Sequence, residues 1–317
     1  MSRIFAPATS ANLSVGFDNL GIALRPLSGI LGDEVLVAPS GIDGFTVTGP
    51  YAGDIAGPNI VLRALERVRA DCGHRDPVAV ELHKGMPVGS GLGSSAASVV
   101  AAVRAFNEHY GRPLDQEAEM AMMGELEAEL SGGLHWDNIM PCALGGLRLG
   151  DTRLPVPASW IWLVVYPGIR LETRAMREVL PLNIPLGVAV AQAARLGRFV
   201  DALHRGDGPL AASLMVDPVI EPCRSPMIPG YAEFHANLLS TGALAAGISG
   251  SGPTIFAVFD DAGTAAQALA HATDWARTVS SATKGSNAFA SLCSVDELGA
   301  RSVDLGKKEQ PHGILQP

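Results

Sequence analysis

The sequence predicts an α+β protein of two domains, and three observations carry that expectation. At 317 residues the chain exceeds one typical domain of about 100–200 residues. Its first part reads as short strands followed by long helical patterns, and after residue 155 strand and helix patterns alternate again. Hydrophobic residues make up 47% and charged residues 17%, enough apolar material for a packed core and too little charge for a disordered chain. We therefore expect one domain over residues 1–155, a second over 156–301, and a flexible polar tail over 302–317.

The elements follow in order. Residues 33–37 and 45–48 are β-prone runs bounded by Gly and Pro, and 78–82 alternates so that Val78, Val80 and Leu82 share one face. Helical spacing then places Val99, Val103 and Phe106 on one helix over 95–110, stopped by Gly111. A second helix over 116–130 carries Met120, Met123, Leu126 and Leu130 and stops at Ser131-Gly132-Gly133. The continuous apolar run 160–165 reads as a buried strand. Helical patterns recur at 187–205, 231–240 and 262–279, with a strand at 255–259.

Charge and cysteine usage exclude several functions. Lys and Arg total 23 against 32 Asp and Glu, a net charge of −9, and no basic patch offsets it, so no nucleic-acid partner is expected. The richest apolar runs, 160–166 and 255–259, fall far short of the ~18 residues that suggest a membrane span. Met1-Ser2-Arg3-Ile4-Phe5-Ala6-Pro7 lacks the apolar run of a signal peptide. Cys72, Cys142, Cys223 and Cys293 form no CxxC pair and read as reduced thiols, which leads us to expect a cytoplasmic protein.

The glycines cluster, and the clusters carry the chemistry. Pro87-Val88-Gly89-Ser90-Gly91-Leu92-Gly93-Ser94-Ser95-Ala96-Ala97 joins an alternating strand to a strong helix. Three alternate glycines permit unusual backbone angles and close approach to a ligand, and the free N–H groups at the helix start favour an anion, above all phosphate. The plainer reading is a tight turn with a serine cap. The spacing is neither that of a Walker A loop nor that of a dinucleotide fingerprint, and no GxSxG, HExxH or CxxC occurs. A second segment, Gly247-Ile248-Ser249-Gly250-Ser251-Gly252-Pro253-Thr254, runs into the strand at 255–259 and reads as a close backbone approach or a hairpin-like connection. The third, Ala6-Pro7-Ala8-Thr9-Ser10-Ala11-Asn12-Leu13-Ser14-Val15-Gly16-Phe17-Asp18, reads alone as a polar loop.

These three segments, in this order, resemble the three motifs of the GHMP kinases, and within that group those of the homoserine kinases. Met123-Gly124-Glu125-Leu126-Glu127 and His135-Trp136-Asp137-Asn138-Ile139-Met140-Pro141 are similar to homoserine kinases as well. The resemblance runs from about residue 3 to 300 and departs only slightly, with Thr9 for the commoner Ser and Ser14 for a common Gly. It implies an N-terminal domain like domain 2 of ribosomal protein S5, a C-terminal ferredoxin-like domain, and a homodimer. It further implies ATP-dependent phosphorylation of the L-homoserine hydroxyl to O-phospho-L-homoserine, in threonine biosynthesis, with Mg²⁺.

Site roles follow from the same resemblance. The loop 87–97 wraps the triphosphate, Ser94 and Glu125 supply oxygens to Mg²⁺, and Asn59 and Lys84 lie at the adenine. From the residues alone, Glu125 belongs to a solvated acidic face with Glu117, Glu119, Glu127 and Glu129, Asn59 is a helix cap and Lys84 a solvated strand end. Arg177 and Arg224 would hold the homoserine carboxylate, Asp18 its ammonium, and Asn12 would orient the hydroxyl or the amino-acid backbone. Asn138 and Thr173 are active-site neighbours. Asp137 is expected to be structural, with phosphate oxygen or solvent taking the proton, and it is also the rival base, because Ala8-Thr9-Ser10 offers no lysine. Two alternatives stay open: a kinase of another small alcohol, and a non-catalytic nucleotide sensor on the same fold.

Overall fold

The alternation at 78–82 makes a strand because one side of it meets helices and the other meets water: Val78, Val80 and Leu82 are buried, and Ala79 and His83 are exposed. In this computed structural model, which describes residues 1–55, 59–131 and 133–303, that strand is β5 (Val78–His83). It belongs to a first half built from β1 (Ser2–Ala11), β2 (Leu20–Pro26), β3 (Gly32–Pro39), β4 (Gly44–Thr48) and α1 (Ile60–Cys72). After β5 come α2 (Ser94–His109), α3 (Gln116–Ser131), α4 (Trp136–Leu144) and the short hairpin β6 (Leu147–Leu149) and β7 (Thr152–Leu154). The second half holds β8 (Ile161–Tyr166), α5 (Thr173–Glu178), α6 (Leu186–His204), α7 (Gly208–Ser213), α8 (Glu221–Arg224), α9 (Tyr231–Ser240), β9 (Ala245–Ile248), β10 (Ile255–Phe259), α10 (Ala262–Thr283), β11 (Phe289–Val295) and β12 (Arg301–Ser302).

Local chemistry sets the helix ends that matter for the site. Asn59 caps α1 by accepting from Val61 N–H at 2.9 Å, and Gly73 ends it at a φ of 72°. Asp261 caps α10 through Thr264 N–H at 2.8 Å. The helix α2 is buried almost all round, with Ala96, Ala97, Ala101, Ala102 and Ala105 fully enclosed, so it runs through the first core instead of lying over it.

One sheet crosses the expected boundary at residue 155, in the order β4-β5-β3-β1-β2-β11-β8-β10-β9. The stitch is β11, which pairs with β8 on one side (Leu292 opposite Leu163) and with β2 on the other (Val295 opposite Leu24). Two cores flank this sheet. The first gathers α1 to α4, β1 to β3, and Trp162 and Phe199 from the second half, while the second packs α9 and α10 on β8, β9 and β10.

Three expectations change. The segment 6–11 is not a loop but the inner part of β1, wholly buried between β2 and β3. Ser302, expected in the tail, pairs with Ile4 in β12, and residues 304–317 lie outside the described residues. The last part of the expected second domain returns to the first half through β11 and β12.

Candidate active site

Three glycines of the loop after β5 hold left-handed angles, Gly89 at +66°, Gly91 at +81° and Gly93 at +65°, and Gly93 caps α2. The second glycine-rich segment interlocks with it. Ser249 Oγ donates to Gly91 O at 2.7 Å, Thr254 N–H to Ser90 O at 3.0 Å, and Gly250 N–H to Ala11 O at 3.0 Å. A Cβ on Gly91 would lie 2.4 Å from Ser249 O, and one on Gly93 2.0 Å from Thr9 Oγ1. Close packing of the three motifs therefore demands these glycines as much as a ligand does. The loop and the first turn of α2 line a cleft of about 390 Å³, within the usual range for small-molecule sites.

Val88, Gly89, Ser90, Gly91, Gly93, Ser94 and Ser95 line that cleft, as does Asn59 while capping α1. Pro87, Leu92, Ala96 and Ala97, expected with them, are buried and do not line it. Lys84 is neither a solvated strand end nor free for a base. It is 1% exposed, pairs with Asp33, and donates to Ser94 O and Ser98 Oγ, each at 2.9 Å. It ties the start of α2 to the sheet, and loss of either partner would strand a buried charge at about 3–5 kcal/mol.

The acidic helix α3 sets its two motif glutamates in different surroundings. Glu125 points outward, 58% exposed in its side chain, and pairs with Arg67 at 2.5 Å. Glu127, two residues on and across the helix, is buried in the cleft wall and accepts from Ser95 Oγ at 2.6 Å. Burial, aided by the charge of Asp137, pushes its carboxyl up to about 7 against the opposing Ser95 bond. A buried carboxylate of this kind, lining the same cleft as Ser94, fits a hard dication that keeps most of its own waters. Among the described residues no three His, Cys, Asp or Glu side chains gather to hold a metal ion, so such an ion would draw other ligands from phosphate and water.

At the other end of the cleft the first motif turns sharply, with Asn12, Leu13 and Ser14 at φ of 72°, 47° and 57°. Asn12 Nδ2 donates to Gly250 O at 2.9 Å, and its Oδ1 accepts from Asp18 N–H at 2.8 Å. Asp18 itself accepts two bonds from Arg177, at 3.1 and 2.8 Å. Arg224 is buried, donates to Met176 O at 3.1 Å and Gly250 O at 3.0 Å, and lies 5.3 Å from the centre of the Phe17 ring, with Arg177 5.9 Å from the same ring. Burial and the nearby Arg177 charge both lower the Arg224 pKa, a strain that an anion between the two guanidiniums would relieve. Arg177 Nε is buried with no hydrogen-bond partner among the described residues.

His135, quoted within its motif but given no role, completes this end: its Nδ1 is 3.2 Å from an Arg177 nitrogen and 3.9 Å from Asp18. Burial and then Arg177 lower its pKa, so the ring stays neutral. Asn138 Oδ1 accepts from Thr9 Oγ1 at 2.7 Å, and Thr173 at the start of α5 lies 3.5 Å from Ser251 Oγ. Both line the cleft. Asp137 is 5% exposed, and its Oδ1 has no hydrogen-bond partner among the described residues. Burial first, and then the Asp18 charge, push its carboxyl up to about 7. The Arg177 charge and the backbone N–H groups of Asp137 and Asn138 oppose this rise, so the start of α4 holds the carboxylate while Oδ1 stays unbonded among the described residues.

Comparison with known proteins places the chain in a family. Residues 59–146 match the family described as GHMP kinases N terminal domain, and residues 199–276 match GHMP kinases C terminal. The chain is similar to a homoserine kinase from Cytophaga hutchinsonii, at 35% identity and a TM-score of 0.82, covering 95% of this chain and 97% of that one. A putative homoserine kinase from Listeria monocytogenes shares 23% identity at a TM-score of 0.65, covering 96% of this chain and 100% of that one. L. major mevalonate kinase in complex with R-mevalonate shares the fold at 16% identity and a TM-score of 0.63, over 92% and 95% of the two chains. No helix among the described residues is long and apolar enough to cross a membrane. Two family matches in the right order, a full-length likeness to a homoserine kinase and three interlocked motifs around one cleft lead to one conclusion: the chain belongs to the GHMP kinases, a family of phosphotransferases.

Proposed function

We propose that the protein phosphorylates the hydroxyl of L-homoserine with ATP, giving O-phospho-L-homoserine for threonine biosynthesis. One observation carries the choice of acceptor: Arg177 and Arg224 converge on the Phe17 ring beside the Asp18 carboxylate. Cations and an anion side by side suit an amino-acid zwitterion. Mevalonate has no ammonium for Asp18, and a sugar has no carboxylate for the arginines. The likeness to the homoserine kinase from Cytophaga hutchinsonii supports the same acceptor.

ATP, with Mg²⁺, supplies the phosphoryl group and the positive charge that screens it. The chain's own part is to hold and orient. Amides of 89–94 bind the polyphosphate at the start of α2, and Ser94 with Glu127 would hold the metal ion. The arginines fix the homoserine carboxylate, Asp18 its ammonium, and Asn12 the turn that carries Asp18. Asp137 takes the proton from the attacking hydroxyl, with Asn138 and Thr173 beside it. A homodimer in the cytoplasm is part of the reading, and the exposed Leu182, Leu186 and Val190 supply an apolar face for such pairing.

The test is ADP release with homoserine, mevalonate or galactose as acceptor, with and without Mg²⁺. Homoserine should exceed the others by at least ~100-fold in kcat/KM. Turnover of another alcohol at equal efficiency would point to a different small-alcohol kinase, and nucleotide binding without any transfer to a sensor.

A further inference from the structure

The glycine loop carries no cation of its own, and the lysine beneath it is committed to Asp33. A polyphosphate seated on its amides would bring several negative charges to a loop that offers backbone N–H groups and serine hydroxyls but no positive charge. The second half of the chain meets this loop through the segment 249–254, which bonds Ser90 and Gly91, and again through the turn between β8 and α5. There Leu171 N–H donates to Gly89 O at 3.2 Å. Arg170 lies directly against the same glycine: a Cβ on Gly89 would sit 2.9 Å from Arg170 Cγ and 3.5 Å from its Nε. The absence of a side chain at Gly89 lets the arginine stem run along the loop, and Arg170 lines the cleft together with Val88 and Gly89.

Two other cations of the cleft are held more firmly, and a third, Arg174, is paired as loosely with Glu178 at 3.2 Å, but of these it is Arg170 that lies against Gly89. Arg177 is bound to Asp18 through two nitrogens, and Arg224 is buried against two carbonyls. Arg170 pairs with Glu172 at 2.9 Å, with the two side chains 49% and 66% exposed. A solvated pair of this kind is weak and exchanges readily. A guanidinium is the side chain best shaped to fork onto phosphate oxygens.

We propose that Arg170 is a phosphate-binding residue for the nucleotide: it leaves Glu172 and forks onto the polyphosphate that the loop 89–93 holds, closing the second half of the chain over the donor. The proposal rests on the reading of that loop as a polyphosphate site. It separates two duties, with backbone amides of the first half setting where the phosphates lie and a mobile cation of the second half neutralising them.

The test is calorimetric titration of wild type, Arg170→Ala, Arg170→Lys and Glu172→Gln with adenosine and with MgATP. Arg170→Ala should weaken MgATP by about 10- to 100-fold and leave adenosine within about 2-fold. Arg170→Lys should fall between, because it keeps charge and loses the fork. Glu172→Gln, which frees the arginine, should tighten MgATP by about 2- to 5-fold. Both residues are on the surface, and unchanged melting temperatures would verify folding. MgATP binding within 2-fold of wild type in Arg170→Ala, or an equal loss for adenosine, overturns the proposal. Wild-type protein that binds neither ligand overturns the nucleotide reading itself and the proposal with it.

Discussion

Arg177 donates to both carboxylate oxygens of Asp18, at 3.1 and 2.8 Å, so a helix of the second half is tied to the turn that follows the first strand. Each of the two is read as a substrate group, one for a carboxylate and the other for an ammonium. An amino-acid zwitterion entering between them exchanges one ion pair for two. That exchange favours a ligand carrying both charges and penalises one carrying a single charge, which would leave a partner unpaired.

Asp18→Asn tests this exchange. Asp18 has a φ of +55°, which asparagine tolerates, so the turn should survive. The homoserine KM should rise about 10- to 100-fold while the ATP KM stays within about 3-fold. Steady-state kinetics with each substrate varied would read both, and equal changes in the two constants would contradict the assignment.

Arg224→Ala should raise the homoserine KM far more than the ATP KM. Because Arg224 is 3% exposed and bridges two carbonyls, the same change should also lower stability by about 2–4 kcal/mol. Arg224→Lys, which keeps a charge, should fold better and still bind homoserine poorly. An equal effect on both Michaelis constants in the lysine variant would show that the side chain is misplaced.

Asp137→Asn should lower kcat by ~10³-fold with both Michaelis constants within about 3-fold, and wild-type kcat should fall as pH drops through about 7, where Asp137 becomes protonated. Stability should move the opposite way. The folded carboxyl sits near 7 and the free one at 3.8, so folding retains a proton that the unfolded chain loses, and stability declines as pH rises between those values. At pH 8 Asp137→Asn should therefore be more stable than wild type by roughly 1–4 kcal/mol, with the gap closing toward pH 4. Denaturant titrations at the two pH values would check it, and a destabilised variant at pH 8 would restore the structural role.

Glu127→Gln should raise the Mg²⁺ concentration for half-maximal activity by at least ~10-fold, and Glu125→Gln should leave it within about 2-fold. A larger effect at Glu125 would reverse the assignment made from burial.

Much of this was legible in the sequence, and the exceptions have physical causes. The helix at 231–240 and the strand at 255–259 match the structure residue for residue, because glycine turns and an aspartate cap punctuate them. The strand β1 hides because Ala6, Pro7, Ala8, Thr9, Ser10 and Ala11 are small or polar, a composition that reads as loop. Those small side chains let the alanine-lined α2 lie close above it. The acidic helix misleads by register. Glu119, Met123 and Glu127 recur every four residues on the inward face, a spacing that points to Glu127, whereas the motif resemblance fell on Glu125. The Asp18–Arg177 pair joins residues 159 apart in the chain and has no local signal at all.

A crystal structure with a non-hydrolysable ATP analogue and homoserine tests the central claim most directly. The account predicts the triphosphate on the amides of residues 89–94, and the homoserine carboxylate between Arg177 and Arg224 with its hydroxyl facing the terminal phosphate. A nucleotide bound away from the glycine loop, or homoserine bound away from the two arginines, would contradict it.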